Sequence, residues 1–192
     1  SSETVDSLEA LLAQDFSGDA ATLDEFIKAK VGELGENMGL TRFAKYELVG
    51  EGVVGSYIHM AGRVGVLVEV TAGKADTASS EAFTTFVKNV GMHIAASQPI
   101  CIGRDEVPAD LVEAEKDIFR EQMKDKPADI IERIIDGKMG KFYATNCLLE
   151  QAFIMDTDKS IKDLIDELSK ETGDEISISR FERYGLGEAA DE

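Results

Sequence analysis

A chain of 192 residues with 43% hydrophobic residues is long enough for one domain or two small ones and apolar enough to build a core. Its 38 acidic against 20 basic residues leave a net charge of −18, which a phosphate backbone would repel, so direct nucleic-acid binding is not expected. No apolar run is long enough to cross a membrane, and no secretory signal opens the chain.

The first 20 residues are acidic and weakly patterned, with a short helix expected at Val5–Leu12. Thr22, with Glu25 three residues on, marks a helix start of the capping-box type. Leu23, Phe26, Ile27, Val31 and Leu34 form the face this helix is expected to bury, and Gly35 ends it. Met38–Tyr46 reads as a strand. Val53–Ile58 and Arg63–Val70, joined by His59-Met60-Ala61-Gly62, read as an antiparallel hairpin. The second run is almost continuously apolar, as in a well-covered strand. After a small-residue loop at Ala75–Ser80, Phe83, Phe86, Val87, Val90 and Ile94 recur at helical spacing until Pro99 ends the pattern. This strand and this helix form the expected core unit.

Pro108 opens a further helix through Leu111, Glu115, Ile118 and Phe119 to about Lys124. Asp125-Lys126-Pro127 breaks it. Ile130, Ile131, Ile134 and Ile135 line a second helix, which Gly137 either stops or tolerates before Met139, Phe142 and Tyr143. Together they read as an αα-hairpin. Cys147–Met155 is a mostly apolar run, Asp156–Lys159 a polar turn, and Glu175–Tyr184 the last strand before an acidic tail. Helix and strand runs that alternate irregularly, with antiparallel pairing, give an α+β fold class.

The chain repeats itself. Gly35–Tyr46 matches Gly173–Tyr184 at an offset of 138 residues, with Arg42, Phe43 and Tyr46 recurring as Arg180, Phe181 and Tyr184. Ser160 and Asp163 repeat the arrangement of Thr22 and Glu25, and Ile161, Leu164 and Ile165 repeat Leu23, Phe26 and Ile27. Each copy reads helix, glycine, strand. The later copy is preceded by a strand and a long helix that the earlier one lacks, as expected if the first half of the earlier unit is missing. The opening Ser-Ser-Glu, without Met, fits a processed protein or a fragment.

Signals for chemistry are weak. Gly35–Gly39 lacks the Lys-Ser/Thr of a phosphate loop. His59 and His93 have no His or Cys nearby at metal-ligand spacing, so neither a metal nor a cofactor nor catalysis is expected. His93 is read as a structural or partly exposed histidine. His59 is a solvated turn histidine or a binding residue presented by a loop. Asp105, Glu106, Asp110, Glu113 and Glu115 are read as a solvated helix start. Ile154-Met155 is either core or an exposed partner-binding knob. Cys101 and Cys147, 46 residues apart, permit one disulfide or two reduced thiols, and the absence of a dense framework favours thiols inside a cell. Protein binding is the stronger functional class.

Four stretches carry a family resemblance: Gly52-Val53-Val54-Gly55-Ser56-Tyr57-Ile58-His59 through Gly65–Val70; Met92-His93-Ile94-Ala95-Ala96-Ser97-Gln98-Pro99; Gly137-Lys138-Met139-Gly140-Lys141-Phe142; and Leu148-Leu149-Glu150-Gln151-Ala152-Phe153. In this order and spacing the chain resembles the core of translation elongation factor Ts, the guanine-nucleotide exchange factor for elongation factor Tu. The resemblance implies two related subdomains, the remainder of the first in residues 1–55 and the second in 56–190, with a projecting helical hairpin at about 109–147. It implies contacts with the GTPase through Leu34, Gly35, His59, Ile154 and Met155. It also implies a protein of the cytoplasm or an organelle matrix that is not an enzyme, takes no cofactor, and contacts neither nucleic acid nor membrane. One departure stands out. The family's Glu-Thr-Asp-Phe-Val exchange segment is not found after Glu69-Val70, where Thr71-Ala72-Gly73-Lys74 stands, so a fragment with reduced exchange activity is expected. The alternative is a structural or oligomerisation module, with self-association.

Overall fold

In the computed structural model, residues 7–16, 21–124 and 127–188 are described, and the chain divides into two compact units, Ser1–Lys45 with Glu188–Glu192 and Tyr46–Gly187. The first unit begins with α1 (Leu8–Leu12), capped by the Ser7 hydroxyl, which accepts from the Ala10 N–H at 3.1 Å. The first residues of the helix expected from Val5 lie outside the described residues. In α2 (Leu23–Leu34) the Thr22 hydroxyl accepts from the Glu25 N–H at 3.2 Å, and Gly35 closes the helix at φ 69°. The capping box is only half made, because Glu25 Oε2 accepts from the Ala21 N–H at 2.9 Å, one residue before the cap.

Two expectations fail in this unit. The face of α2 is not buried: Leu23, Phe26, Ile27 and Val31 are half-buried, and Leu34 is 59% exposed. Its cover comes from Phe16, stacked on Phe26 with centroids 4.3 Å apart, and from Leu12, Met38 and Leu40, which line an open groove with Ile27 and Val31. That is too little to enclose a helix. Met38–Tyr46, in turn, joins no β-ladder among the described residues. A strand needs a neighbour's N–H and C=O groups to satisfy its own, whatever its sequence pattern.

The second unit contains β1 (Gly52–His59), β2 (Val64–Ala72), a short helix α3 (Ala75–Ala78), α4 (Glu81–Ser97), α5 (Ala109–Gln122), α6 (Ala128–Asn146), β3 (Ala152–Phe153), β4 (Asp156–Ser160), α7 (Ile161–Thr172) and β5 (Ile176–Gly185). Helix α3 occupies the stretch expected as a loop. The antiparallel sheet has the order β1-β2-β5, in register Gly55↔Val68 and Val68↔Phe181. Val66, Val68 and Val70 of β2 point to the core, with α4 supplying Phe83, Phe86, Val87, Val90 and Ile94. These are the residues the helical spacing singled out. The apolar alternation of β5 slips by one between Ile178 and Phe181. A bulge absorbs the slip: Glu69 pairs with Arg180 and Val70 with Ile178, which leaves Ser179 extra and keeps both Ile178 and Phe181 opposite core valines.

Helix α4 lies unusually near β1. A Cβ at Gly55 would stand 2.4 Å from Val87 Cγ1, and one at Gly91 would stand 3.2 Å from the Tyr57 Cβ. On the other sheet face, Glu69 is buried and receives Arg180 through Nε at 3.1 Å and Nη2 at 2.8 Å. The Arg180 guanidinium lies 4.1 Å from the Tyr46 ring centroid and donates to the Glu47 carbonyl at 3.2 Å.

The αα-hairpin forms as expected, and α6 passes through Gly137 unbroken. It has a small core of its own, made by Met123, Ile135 and Met139 with Phe119, Ile131 and Phe142 around them, while Leu111, Ile118 and Ile130 are exposed. Helix α7 repeats the design of α2, with a complete capping box between Ser160 and Asp163 and a left-handed Gly173 at φ 60°. The expected polar turn at Asp156–Lys159 is instead strand β4, paired with β3, and the turn between them is Ile154-Met155. The backbone pairing, not side-chain polarity, decides which two residues turn.

Gly55→Ala is expected to destabilise the chain by roughly 1–3 kcal/mol in urea unfolding, since Val87 is stiff and has nowhere to retreat. Combined with Val87→Ala it should cost less than the sum of the two single changes. Simple additivity would show that the contact does not constrain the helix.

Candidate partner-binding surface

The β1–β2 turn is presented under strain. Met60, Ala61 and Gly62 have φ of 51°, 55° and 93°, and left-handed backbone is costly for the first two. Ile58, His59 and Met60 are all exposed there. The Tyr57 hydroxyl and His59 Nδ1 are hydrogen-bonded at 3.2 Å, and their rings lie 5.9 Å apart at 18°. His59 therefore has a held orientation and is not a freely waving loop residue. Leu186 stands beside this turn, its N–H donating to the Arg63 carbonyl at 2.7 Å, and its side chain is exposed. Ile58, Met60 and Leu186 thus add apolar surface to the end of the sheet that carries His59. Sequence reasoning passed over them. The available signal was an apolar residue on each side of His59 and a leucine between two glycines.

The Ile154-Met155 turn is exposed, at 38% and 59%, so the pair is not core. It is a two-residue turn, since Phe153 pairs with Asp156. What positions it lies underneath. Gln151 is buried and its amide donates to the Thr145 carbonyl at 2.7 Å and the Ser97 carbonyl at 3.2 Å. Its remaining oxygen therefore faces His93 Nε2, 2.9 Å away, which must carry the proton. His93 Nδ1 is then the acceptor for the Ser97 hydroxyl at 3.4 Å. One glutamine so ties α4, α6 and the chain entering β3. Phe153, two residues on, is buried with its ring 6.0 Å from that of His93. His93 is fully buried and hydrogen-bonded, so of the two readings it is the structural histidine and not the partly exposed one.

Leu34 and Gly35, in the first unit, sit at the exposed end of α2, where the left-handed Gly35 turns the chain out of the helix. The residues Asp105, Glu106, Asp110 and Glu113 are exposed and Glu115 is half-buried; Glu106 accepts from the Ile102 N–H at 2.8 Å, a local turn contact. Among the described residues no three His, Cys, Asp or Glu side chains lie together as a metal site, and no helix is long and apolar enough to cross a membrane.

The model of the family Elongation factor TS matches residues 1–188. The chain belongs to the elongation factor Ts family. It is 46% identical over 184 residues to the elongation factor Ts of Trichlorobacter lovleyi, covering 94% of this chain and 59% of that protein. Identity to the Syntrophotalea carbinolica protein is 41% over 183 residues, again 94% and 59% of the two chains. A Thermotoga relative is 44% identical over 138 residues, which is 72% of this chain and 69% of that one. Against the first two relatives the chain spans well under two thirds of their length.

Two expectations follow from the buried node. Gln151→Leu strands the His93 N–H and two carbonyls, and is expected to cost at least about 2 kcal/mol in urea unfolding. Burial pushes the His93 imidazole below its ordinary range, with the Gln151 bond opposing. The unfolded chain therefore takes up this proton first, and the stability tied to neutral His93 is complete above about pH 6.5 and lost as pH falls from there towards the folded value. The His93 Cε1–H NMR signal is expected to titrate at a lower pH than that of an unperturbed imidazole.

Proposed function

We propose that this chain is the GTPase-binding core of a guanine-nucleotide exchange factor that promotes GDP release from elongation factor Tu, and that it works in the cytoplasm by protein–protein binding alone. Membership of the elongation factor Ts family carries the reading. The exposed turns support it: Leu34-Gly35, His59 and Ile154-Met155 stand at element ends, where contact with a partner disturbs no core packing. Exposed apolar residues on a rigid support make good interface anchors. The two compact units correspond, in this reading, to the two related core subdomains, each with its helix closed by a left-handed glycine.

The mechanism is linkage. A factor that binds the nucleotide-free GTPase more tightly than the GDP form must lower GDP affinity by the same ratio. No bond is made or broken in the factor. After Glu69-Val70, β2 ends in Thr71-Ala72 and the chain runs on through Gly73-Lys74, without the acidic-aromatic pair of the family's exchange segment, and we infer that the chain binds the GTPase but accelerates release poorly. Stopped-flow release of a fluorescent GDP analogue at the full-length rate would overturn this.

Calorimetric titration into nucleotide-free and GDP-loaded elongation factor Tu tests the core claim, with tight binding expected for the nucleotide-free form. His59→Ala should weaken that binding with the melting curve nearly unchanged. Ile154→Ser with Met155→Ser should cost about tenfold or more in affinity, about 1.4 kcal/mol or above. Stoichiometric self-association in light scattering, with no GTPase binding, would favour an oligomerisation module instead.

A further inference from the structure

The root of the αα-hairpin holds two free thiols in contact. Cys101 and Cys147 are 46 residues apart in sequence, yet their Sγ atoms stand 3.5 Å apart, with the Cys101 thiol donating to the Cys147 sulfur. Backbone brings them together. In a short parallel bridge, the Ile100 N–H donates to the Asn146 carbonyl at 2.9 Å, the Leu148 N–H to the Cys101 carbonyl at 2.9 Å, and the Leu149 N–H to the Ile102 carbonyl at 3.0 Å. Residues opposed across neighbouring strands lie ~4.8 Å apart at Cα, inside the roughly 4.4–6.8 Å that a disulfide spans without moving backbone. Both side chains are buried, in a cluster with Val107, Val112, Phe142 and Tyr143. The pair also brackets the hairpin. Cys147 is the C-cap of α6, and Cys101 precedes α5, so a bond between them closes a loop that contains both helices.

We propose that Cys101 and Cys147 are a reversible dithiol–disulfide site, a covalent latch across the root of the αα-hairpin. Its co-reactant is a low-molecular-weight disulfide such as oxidised glutathione. One cysteine thiolate attacks a sulfur of that disulfide, breaks its S–S bond and releases one glutathione thiolate. The second cysteine then attacks the mixed disulfide, forms the Cys101–Cys147 bond and releases the second. The two protons pass to the departing thiolates, and two electrons move from the cysteine pair to the small disulfide. Burial pushes both thiols up, Cys101 to about 12, and the S–H bond that Cys147 accepts from Cys101 opposes the rise at Cys147, which makes Cys147 the better first attacker. Burial also sets the gate: the thiols meet the reagent only when the hairpin root opens, so the rate of latching reads that opening. Nothing in the exchange reading uses this pair, so the two proposals stand or fall separately.

The test incubates the full chain with glutathione mixtures of rising oxidised fraction, blocks free thiols with N-ethylmaleimide, and measures intact and peptide masses. The expected product is a monomer lighter by two hydrogens with a Cys101–Cys147 cross-linked peptide, restored by dithiothreitol. It should melt higher by on the order of 5 °C. Cys147→Ser and Cys101→Ala should lose the cross-link and the melting shift. Thiols that stay reduced in oxidised glutathione, while the same chain cross-links in urea, would overturn the proposal. So would disulfide-linked dimers, or a cross-link that leaves the melting point unchanged or lower.

Discussion

The close seat of α4 on β1 and β2 is the constraint from which the rest of the second unit follows. Gly55 and Gly91 remove the two side chains that would hold the helix away, and Val87 fills the space against Val68. With the helix so close, Phe83, Val90 and Ile94 reach full burial. At roughly 1.5–3 kcal/mol for each large apolar side chain removed from water, this layer outweighs the propensity cost of roughly 1 kcal/mol for a glycine inside a helix. The position of α4 also fixes that of its last turns. His93 and Ser97 can meet Gln151 only because the helix ends where it does, and Gln151 fixes where the chain emerges to make the Ile154-Met155 turn. A contact in the core thereby sets the place of a surface turn.

The two buried polar clusters do different jobs. Gln151 is neutral, and the bonds it makes to Ser97, Thr145 and His93 carry no charge, so its burial costs little once all are made. Glu69 is an ionisable group on the opposite face of the sheet, and it is tolerated because Arg180 sits directly across the ladder from it. Arg180 is partly exposed, which keeps its own desolvation small, and the Tyr46 ring covers it. The bulge at Ser179 is what lets Arg180 face Glu69 while Ile178 and Phe181 still face the core.

Much of this was legible from periodicity. The apolar spacing of Phe83 to Ile94 and the near-continuous run of β2 located the core, and the repeated cap residues and glycines located both short helices. What failed was what depends on neighbours. The apolar spacing of α2 predicts a buried face, but burial needs a covering element, and spacing cannot say whether one is present. Asp156–Lys159 looked like a turn because it is polar, yet exposed edge pairing in a small hairpin tolerates polar residues on both sides. Among candidate contact residues, the sequence points to Leu34, Gly35, His59, Ile154 and Met155 and is silent on the exposed apolar residues Ile58, Met60 and Leu186. Apolar residues in or beside a strand are usually core, and only the turn geometry shows these to be outside it.

The two copies of the repeat make the same point as an internal comparison. Both begin with a hydroxyl cap, both run for a 12-residue helix, and both close at a left-handed glycine. Up to that glycine the copies agree, because a helix satisfies its hydrogen bonds within itself. Past it they diverge. Ile176–Gly185 lies against β2 and becomes a sheet strand, while Met38–Tyr46, with the same arginine, phenylalanine and tyrosine at the same spacing, joins no ladder among the described residues. The local code for a helix is nearly complete in itself. For a strand, sequence supplies a pleated face and a pattern, and the partner supplies the strand.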